Sequence, residues 1–344
     1  MAGATAPAHR GRMPDISPEL FINAALGYQR TAAIKAAVAL DLFTVLGEVD
    51  GALEPAAART RASARGLRIL CDFLTVNGFL TKEGARYRLT PSTGAFLSRG
   101  SPAYMGGTVD FLASPEMMRL WLEDPVAYVR QGGSPGLANV APNNALWVTF
   151  ARAMVPFMAP AAQAIAEQVR SGARPPRRVL DVAAGHGIFG IEIAKKVPSA
   201  QVVALDWEAV LAVAQENAQA AGVAERYQWL IGSAFEVDWG TGYDLVLLTN
   251  FLHHFDRETC VDLLRKARGS LAPAGQALAL DFVPNEDRVS PPFPAMFSFM
   301  MLASTPKGDA YTAREYTEMG RSAGFSDVTV RALQPTAQSL IAFR

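Results

Sequence analysis

The chain has 344 residues, of which 50% are hydrophobic and 19% are charged. This composition is typical of a packed globular protein and excludes a chain that is disordered throughout. Its 32 basic residues balance 32 acidic ones, so net charge favours neither a nucleic-acid partner nor an anionic membrane.

Residues 1–17 predict a flexible leader, because they lack the apolar run of a secretory signal. The sequence contains no charge-free stretch of about 18 apolar residues, so no membrane span is expected. Cys71 and Cys260 lie far apart and match no metal or redox spacing. Ordinary thiols in a reducing cytosol are the expectation, and the predicted location is cytoplasmic.

Residues 18–105 predict alanine-rich helices followed by two short strands that turn at Glu83 and Gly84. Helix, turn, helix and β-wing together form a winged-helix pattern, which raises the alternative of a DNA-binding regulator. A recognition helix for DNA should concentrate lysine and arginine. Here Arg65 and Arg68 are followed by apolar residues, which favours a buried or dimerising helix.

Residues 106–172 predict a helical connector, and the Gly/Pro/Arg run "SGARPPRR" at 171–178 is the candidate domain boundary. In residues 173–344 short apolar strand patterns, among them "QVVALD" at 201–206 and "QALALDFV" at 276–283, alternate with helical ones. This alternation predicts an α/β fold with a parallel, doubly wound sheet. The last two strand patterns are separated only by 334–338, a spacing that predicts a C-terminal antiparallel hairpin.

The glycine loop "LDVAAGHGIFG" follows a predicted strand and opens a predicted helix, with Asp206 about 20 residues beyond it. Gly185, Gly187 and Gly190 allow either a dinucleotide or S-adenosylmethionine, and a plain tight turn is the structural alternative. Asp181, four residues before the first glycine, favours a ligand end that is a cation rather than a diphosphate. Together with the C-terminal hairpin it favours S-adenosylmethionine, although Asp206 as an ordinary helix cap is an alternative.

With these motifs the chain resembles the class I S-adenosylmethionine-dependent small-molecule O-methyltransferases. That family includes the plant caffeate and acetylserotonin enzymes and bacterial polyketide-tailoring enzymes. The resemblance covers almost the whole chain after the leader and rests on "DVAAGHG", "LDW", "GSAFEVD" and "LHHFD". It implies a Rossmann-like methyltransferase domain preceded by a winged-helix dimerisation domain, and a homodimer without a metal.

The resemblance also implies a cofactor site. Asp206 would bind the ribose, Gly185 and Gly187 the methionine part, and Trp207 and Phe235 would flank the adenine. Three further positions match the family's cofactor motifs with changed side chains: Ser233, Ala234 and Thr249. Trp207 as a surface aromatic and Phe235 as a core residue are the structural alternatives.

His253 matches the family's general base, and Asp281 the carboxylate that orients it. His254 stands where the family has an aspartate, as either a substrate-orienting residue or a strand-end side chain bonded to backbone. A metal site is not expected, because consecutive strand residues point to opposite faces. The family's second carboxylate falls at Ala310, with Asp309 adjacent.

Two apolar stripes at helical spacing are either core or an acceptor pocket. The resemblance places them around a planar aromatic or polyketide-like hydroxyl compound. The predicted pocket residues, with His254 included, are Trp147, Phe150, Met154, His254, Phe297, Met300 and Met301. C-methylation, or a non-methylating reaction that uses the same cofactor, is the alternative chemistry.

Overall fold

The computed structural model describes residues 16–135 and 145–344. The chain separates into two compact units that divide between Gly100 and Ser101. The run 171–178, predicted as a domain boundary, lies within the second unit, as do the described residues of the connector. Most of the predicted leader, and 136–144 of the connector, lie outside the described residues.

In the first unit short helices precede and follow a two-stranded hairpin. Ser63 caps the last helix before the hairpin by accepting a hydrogen bond from the Gly66 N–H, and Leu67, Cys71 and Leu74 form that helix's buried stripe. The elements are α1 (Glu19–Ala25), α2 (Gly27–Ala39), α3 (Leu42–Glu48), α4 (Leu53–Thr60), α5 (Ala64–Val76), β1 (Leu80–Glu83), β2 (Arg86–Leu89) and α6 (Pro91–Leu97).

The second unit alternates strands and helices after an all-helical start. Its first helices are α7 (Val109–Leu112), α8 (Pro115–Leu122), α9 (Pro125–Gln131), α10 (Ala145–Ala153) and α11 (Val155–Ser171). The alternating part comprises β3 (Arg178–Val182), α12 (Ile188–Lys196), β4 (Gln201–Asp206), α13 (Glu208–Ala220), β5 (Tyr227–Ile231), β6 (Tyr243–Thr249), α14 (Arg257–Ser270), β7 (Leu271–Asp281), α15 (Pro292–Ser304), α16 (Ala313–Ser322), β8 (Val328–Ala332) and β9 (Ser339–Phe343).

The strands of the second unit form one sheet in the order β5-β4-β3-β6-β7-β9-β8. Strands β3 to β7 run parallel, whereas β9 pairs antiparallel with both β7 and β8. The predicted parallel sheet with a C-terminal hairpin is confirmed. The carboxyl ends of β3, β4 and β6 therefore meet at one edge of the sheet, which is where ligands bind in such folds.

Helices cover both faces of this sheet. Successive strand residues enter opposite cores: Val179 packs into the cluster that contains α11, whereas Leu180 packs into the cluster that contains α14. Because both faces are buried, the strands are continuous apolar runs rather than alternating ones. Among the described residues no single helix is long and apolar enough to cross a membrane, although α10 and α11, bent by 64°, pass that test as a pair.

Candidate active site

A cavity of about 350 Å³ lies at the carboxyl edge of the sheet. It is lined by the segments after β3, β4, β6 and β7 and by residues of α7, α8, α10, α11 and α15. Beside it lies a smaller cavity of about 50 Å³. Asp206 and Trp207, at the end of β4, line both cavities.

The glycine loop joins β3 to α12. Gly185 has φ +59° and lines the main cavity, and a Cβ there would meet only the Ala183 carbonyl oxygen, at 3.9 Å. The backbone of Gly185 therefore borders the cavity directly, with no side chain between them. Gly187, with φ +73°, lies outside both linings, and a Cβ there would come within 3.0 Å of the Ala214 Cβ on α13. Both glycines adopt a backbone conformation that other residues rarely take.

Asp181 lies beneath this loop and lines neither cavity. It is fully buried, its Oδ2 accepts the Gly190 N–H at 3.2 Å, and its Oδ1 has no partner among the described residues. Burial raises the pKa of Asp181 to about 7, and the charge of Asp206 adds to the shift. Contrary to the expectation from its spacing, Asp181 holds the loop from below rather than facing a ligand.

Asp206 ties the loop to the start of α13. Its Oδ2 accepts the Gly185 N–H at 2.8 Å, and its Oδ1 accepts the Trp207 N–H at 2.7 Å. Burial raises the pKa of Asp206 to about 6, against the opposing effect of these two hydrogen bonds. The carboxylate is therefore held in one orientation at the junction of the two cavities.

The smaller cavity brings together the residues predicted around the adenine. Phe235, of which 43% is exposed, forms one aromatic side, and Trp207 is another lining aromatic. The Ser233 Oγ accepts the Phe235 N–H at 3.2 Å, which fixes the turn after β5. The full lining is Ala183, Leu205, Asp206, Trp207, Gly232, Ser233, Ala234, Phe235, Phe251 and Phe255. Thr249, the other predicted cofactor residue, lines the main cavity instead.

The two adjacent histidines lie on a 3₁₀ turn, Leu252–His254, that follows β6. The expectation that their side chains diverge was wrong, because the backbone has left the strand: the two ring centroids are 4.4 Å apart. Both rings line the main cavity.

His253 is oriented by a buried carboxylate. Its Nδ1 lies 2.7 Å from the Asp281 Oδ1, which also accepts the Phe282 N–H at 2.9 Å. The Tyr316 hydroxyl donates to the Asp281 Oδ2 at 2.7 Å. Because a carboxylate only accepts hydrogen bonds, Nδ1 carries the hydrogen and Nε2 keeps the lone pair.

Tyr316 was missed by sequence reasoning, since nothing local links it to a carboxylate 35 positions away. It lies on α16, which begins with a capping box: the Thr312 Oγ1 accepts the Glu315 N–H, and the Glu315 carboxylate accepts the Thr312 N–H. A polar residue on the buried stripe of a helix was the available signal.

Asp309, next to the position that the resemblance assigns to the family's second carboxylate, lines neither cavity. Its Oδ2 lies 3.3 Å from the Arg288 Nη1, and its Oδ1 accepts the Ala310 N–H at 2.8 Å. Its main chain contacts the turn, where its N–H donates to the His253 carbonyl oxygen at 3.0 Å. Asp281 is therefore the carboxylate that the structure places against the His253 ring.

His254 faces an aromatic wall. Its ring meets Trp147 edge-on, with centroids 5.8 Å apart, and burial lowers its pKa well below the usual value. All of the predicted pocket residues line the main cavity: Trp147, Phe150, Met154, His254, Phe297, Met300 and Met301. Met296, on the same helix α15 as Phe297, Met300 and Met301, is 63% exposed and lies outside the lining.

His186, in the middle of the glycine loop, also lines the main cavity and was not predicted. Its Nδ1 accepts the Ile188 N–H at 3.3 Å, and its ring stacks on Phe150. Burial lowers the pKa of His186 to about 4, so the ring is neutral at physiological pH.

Two family models match the chain. An O-methyltransferase domain covers residues 146–326, and an O-methyltransferase dimerisation domain covers residues 22–99. The first spans more than half of the chain and contains the glycine loop, His253 and Asp281.

Curated relatives match over nearly the whole length. The chain is 29% identical to 3-hydroxy-5-methyl-1-naphthoate 3-O-methyltransferase of Streptomyces sahachiroi, over 94% of each chain. It is 28% identical to acetylserotonin O-methyltransferase of Mus musculus, over 98% of this chain and 92% of the relative. It is 30% identical to 3-amino-4-hydroxybenzoate 4-O-methyltransferase of Streptomyces cremeus, over 78% of this chain and 74% of the relative.

Solved structures agree. A candidate O-methyltransferase of Nostoc punctiforme is 46% identical, with a TM-score of 0.90 over 95% of this chain and 99% of that one. PigF with S-adenosylhomocysteine is 25% identical, with a TM-score of 0.84 over 96% and 99%. The chain belongs to the S-adenosylmethionine-dependent O-methyltransferases that carry an N-terminal dimerisation domain.

Proposed function

We propose that this enzyme transfers a methyl group from S-adenosylmethionine to a hydroxyl of a small aromatic or polyketide-like acceptor, with His253 as the general base. One observation carries the proposal: an imidazole held by Asp281 lines the same cavity as the glycine loop. The candidate base and the glycine loop therefore line the same cavity.

The residues of the proposed cofactor site fit S-adenosylmethionine, the cofactor that the family uses. Gly185 leaves its backbone open at the cavity wall, and Asp206 is held in one orientation at the entrance to the smaller cavity. A carboxylate there suits two ribose hydroxyls. The aromatic side chains of Trp207 and Phe235 suit the flat adenine.

The protein's part in the reaction is to orient the acceptor and remove its proton. When bound, S-adenosylmethionine supplies an electrophilic methyl group on a sulfonium sulfur. A phenol has a pKa near 10 and is almost wholly protonated at neutral pH. The His253 Nε2 accepts the hydroxyl proton while the oxygen attacks, and Asp281 stabilises the charge that then develops on the ring. The aromatic wall holds the acceptor ring and excludes water.

This assignment is tested with His253→Ala in the full-length enzyme. We expect turnover to fall about 10²- to 10⁴-fold, because a general base contributes that much. Calorimetric titration should show unchanged binding of S-adenosylmethionine and S-adenosylhomocysteine. Asp206→Ala is the comparison variant, and it should lose the cofactor binding that His253→Ala retains. Normal turnover by His253→Ala would show that the acceptor needs only positioning and that His253 is not the base.

C-methylation is the competing chemistry, and it uses the same cofactor site. Nuclear magnetic resonance of the product distinguishes the two, since an O-methyl and a C-methyl carbon resonate far apart. A product that does not gain the mass of one methylene would contradict methyl transfer altogether. The orienting carboxylate on His253 supports removal of a hydroxyl proton, and therefore favours the oxygen as the acceptor atom.

A further inference from the structure

The main cavity is almost without charge. Among the described residues that line it, none is a lysine or an arginine, and Asp206 is the carboxylate. Both oxygens of Asp206 already accept main-chain N–H groups.

The cavity's histidines add no positive charge at neutral pH. Burial lowers the pKa of His186 to about 4, and burial with the neighbouring His253 lowers the pKa of His254 well below its usual value. His253 itself has to be neutral to accept a proton. Behind it lies the carboxylate of Asp281, which disfavours any anion brought to this end of the cavity.

Basic side chains near this edge of the sheet are engaged elsewhere. Arg288 forms ion pairs with Glu315 and Asp309, and Lys307 lies 3.0 Å from the Asp256 carboxylate. Main-chain N–H groups at the start of α12 are engaged as well, since those of Ile188 and Gly190 donate to the His186 Nδ1 and the Asp181 Oδ2. On the aromatic wall, the buried Trp147 Nε1–H has no hydrogen-bond partner among the described residues, but it is a neutral donor and supplies no positive charge.

We infer that the acceptor is an uncharged hydroxylated aromatic compound, and that hydroxylated aromatic carboxylates are rejected. The inference rests on the proposed function, because it concerns the acceptor end of the same cavity. A carboxylate that enters an apolar cavity without a cationic partner loses its hydration, and a neutral donor such as the Trp147 N–H replaces only part of that loss. The chain would differ here from the relatives whose names specify a naphthoate and a hydroxybenzoate.

The test uses a matched set of acceptors with the full-length enzyme: a hydroxynaphthoic acid, its carboxamide and its methyl ester. The acid and the carboxamide have nearly the same shape and differ in charge. Binding is measured by calorimetry in the presence of S-adenosylhomocysteine, and turnover by mass spectrometry with S-adenosylmethionine. We expect the two neutral compounds to bind at least about tenfold more tightly than the acid, and to show a kcat/KM higher by at least the same factor.

A pair of variants tests the cause. Met300 lines the acceptor wall, so Met300→Arg introduces the missing cation, and Met300→Gln introduces a polar group without charge. Relative to Met300→Gln, Met300→Arg should improve the ratio of acid to carboxamide binding by about tenfold or more. An unchanged ratio between the two variants would contradict an electrostatic cause.

The outcomes separate this inference from the proposed function. If the wild-type enzyme binds and methylates the acid as well as the carboxamide, the inference is overturned while the proposed function stands. If the neutral compounds bind preferentially without methyl transfer, the inference stands and the proposed function fails. If the neutral compounds do not bind, the inference is overturned.

Discussion

His253 and His254 are adjacent in the chain but differ in what surrounds each ring. His253 has the Asp281 carboxylate on its Nδ1, whereas the buried Nδ1 of His254 has no hydrogen-bond partner among the described residues. A partnered imidazole has a defined tautomer and can stabilise a proton, and an unpartnered buried one stays neutral. This asymmetry, rather than the sequence position, is what distinguishes a candidate base from a wall residue.

Tyr316 is a positioning residue, since it acts on His253 through Asp281. In Tyr316→Phe one oxygen of a fully buried carboxylate loses its partner, which should cost about 1–3 kcal/mol of stability. The freed carboxylate favours the protonated imidazole more strongly. We therefore expect a lower kcat. We also expect the fall of kcat on the acid side of its pH profile to occur at a higher pH than in wild type.

Tyr311→Phe is the matched control for Tyr316→Phe. The Tyr311 hydroxyl donates to the Phe255 carbonyl oxygen and not to Asp281. This variant should lose stability without any displacement of the pH profile. Equal profiles for wild type and Tyr316→Phe would assign Tyr316 a structural role alone.

Asp181 predicts a pH-dependent stability. Its pKa is raised to about 7 in the folded chain, so between about pH 4 and pH 7 the folded state binds a proton that the unfolded state has lost. The stability from this group is therefore fully present below about pH 4 and is lost as the pH rises through 7. Asp181→Asn removes the titration, and should gain stability relative to wild type between about pH 5 and about pH 8, by up to about 3 kcal/mol.

Urea denaturation of wild type and Asp181→Asn at both pH values measures this gain. Any cost of the amide itself is the same at both pH values and cancels in the comparison. A difference between the two proteins that does not change with pH would contradict a neutral Asp181 in the folded state.

Among the structural elements, the segment between α15 and α16 packs against the backbone of the histidine turn. A Cβ added at Gly308 would lie 2.3 Å from the His253 carbonyl oxygen and 2.6 Å from the Thr305 Oγ1. Gly308→Ala must therefore displace either this segment or the turn. A displacement of about 1 Å at a reacting group costs about 10²-fold in rate, which is the loss of turnover that we expect.

Gly269→Ala is the control, because Gly269 is exposed on α14 and a Cβ there meets nothing within 4 Å. That variant should gain up to about 1 kcal/mol of stability with unchanged turnover. Titration with S-adenosylhomocysteine should give wild-type binding for both variants. Loss of cofactor binding by Gly308→Ala would show that the damage extends beyond the histidine turn.

In the sheet, the sequence predicted the bounds of one strand correctly and missed the start of another. The bounds of β4, Gln201–Asp206, match the predicted strand, because a strand covered on both faces is a continuous apolar run. Strand β7 begins at Leu271, five residues before the predicted "QALALDFV". Its first residues are paired only through Tyr243 and Leu271, beyond a register shift. Cross-strand pairing of that kind leaves no local pattern in the sequence.

For the whole molecule, we expect a homodimer through the first unit. Helix α1 has no buried residue, and Leu20 and Phe21 are 85% and 71% exposed. An exposed apolar helix in a domain of the O-methyltransferase dimerisation family favours burial against a second copy. The double variant Leu20→Asp with Phe21→Asp should be monomeric in light scattering after size-exclusion chromatography.

Val289→Asp is the control for the dimer prediction. Val289 is 75% exposed and lies in the second unit, so the substitution adds one charge away from the dimerisation domain. It should leave the mass of the particle unchanged. A dimeric double variant would show that α1 is not part of the interface.

The sequence by itself determined the family and the order of strands and helices, and it predicted that a carboxylate, Asp281, lies beside the ring of His253. These rest on short-range patterns: apolar periods, glycines that need a positive φ, and motifs at fixed spacing. Only the tertiary structure decided that Asp181 lies beneath the loop, that Asp309 pairs with Arg288, and that Tyr316 bonds Asp281. Each of these contacts depends on which elements pack together and on where a side chain points. Such long-range contacts leave no short-range pattern in the sequence from which they could be predicted.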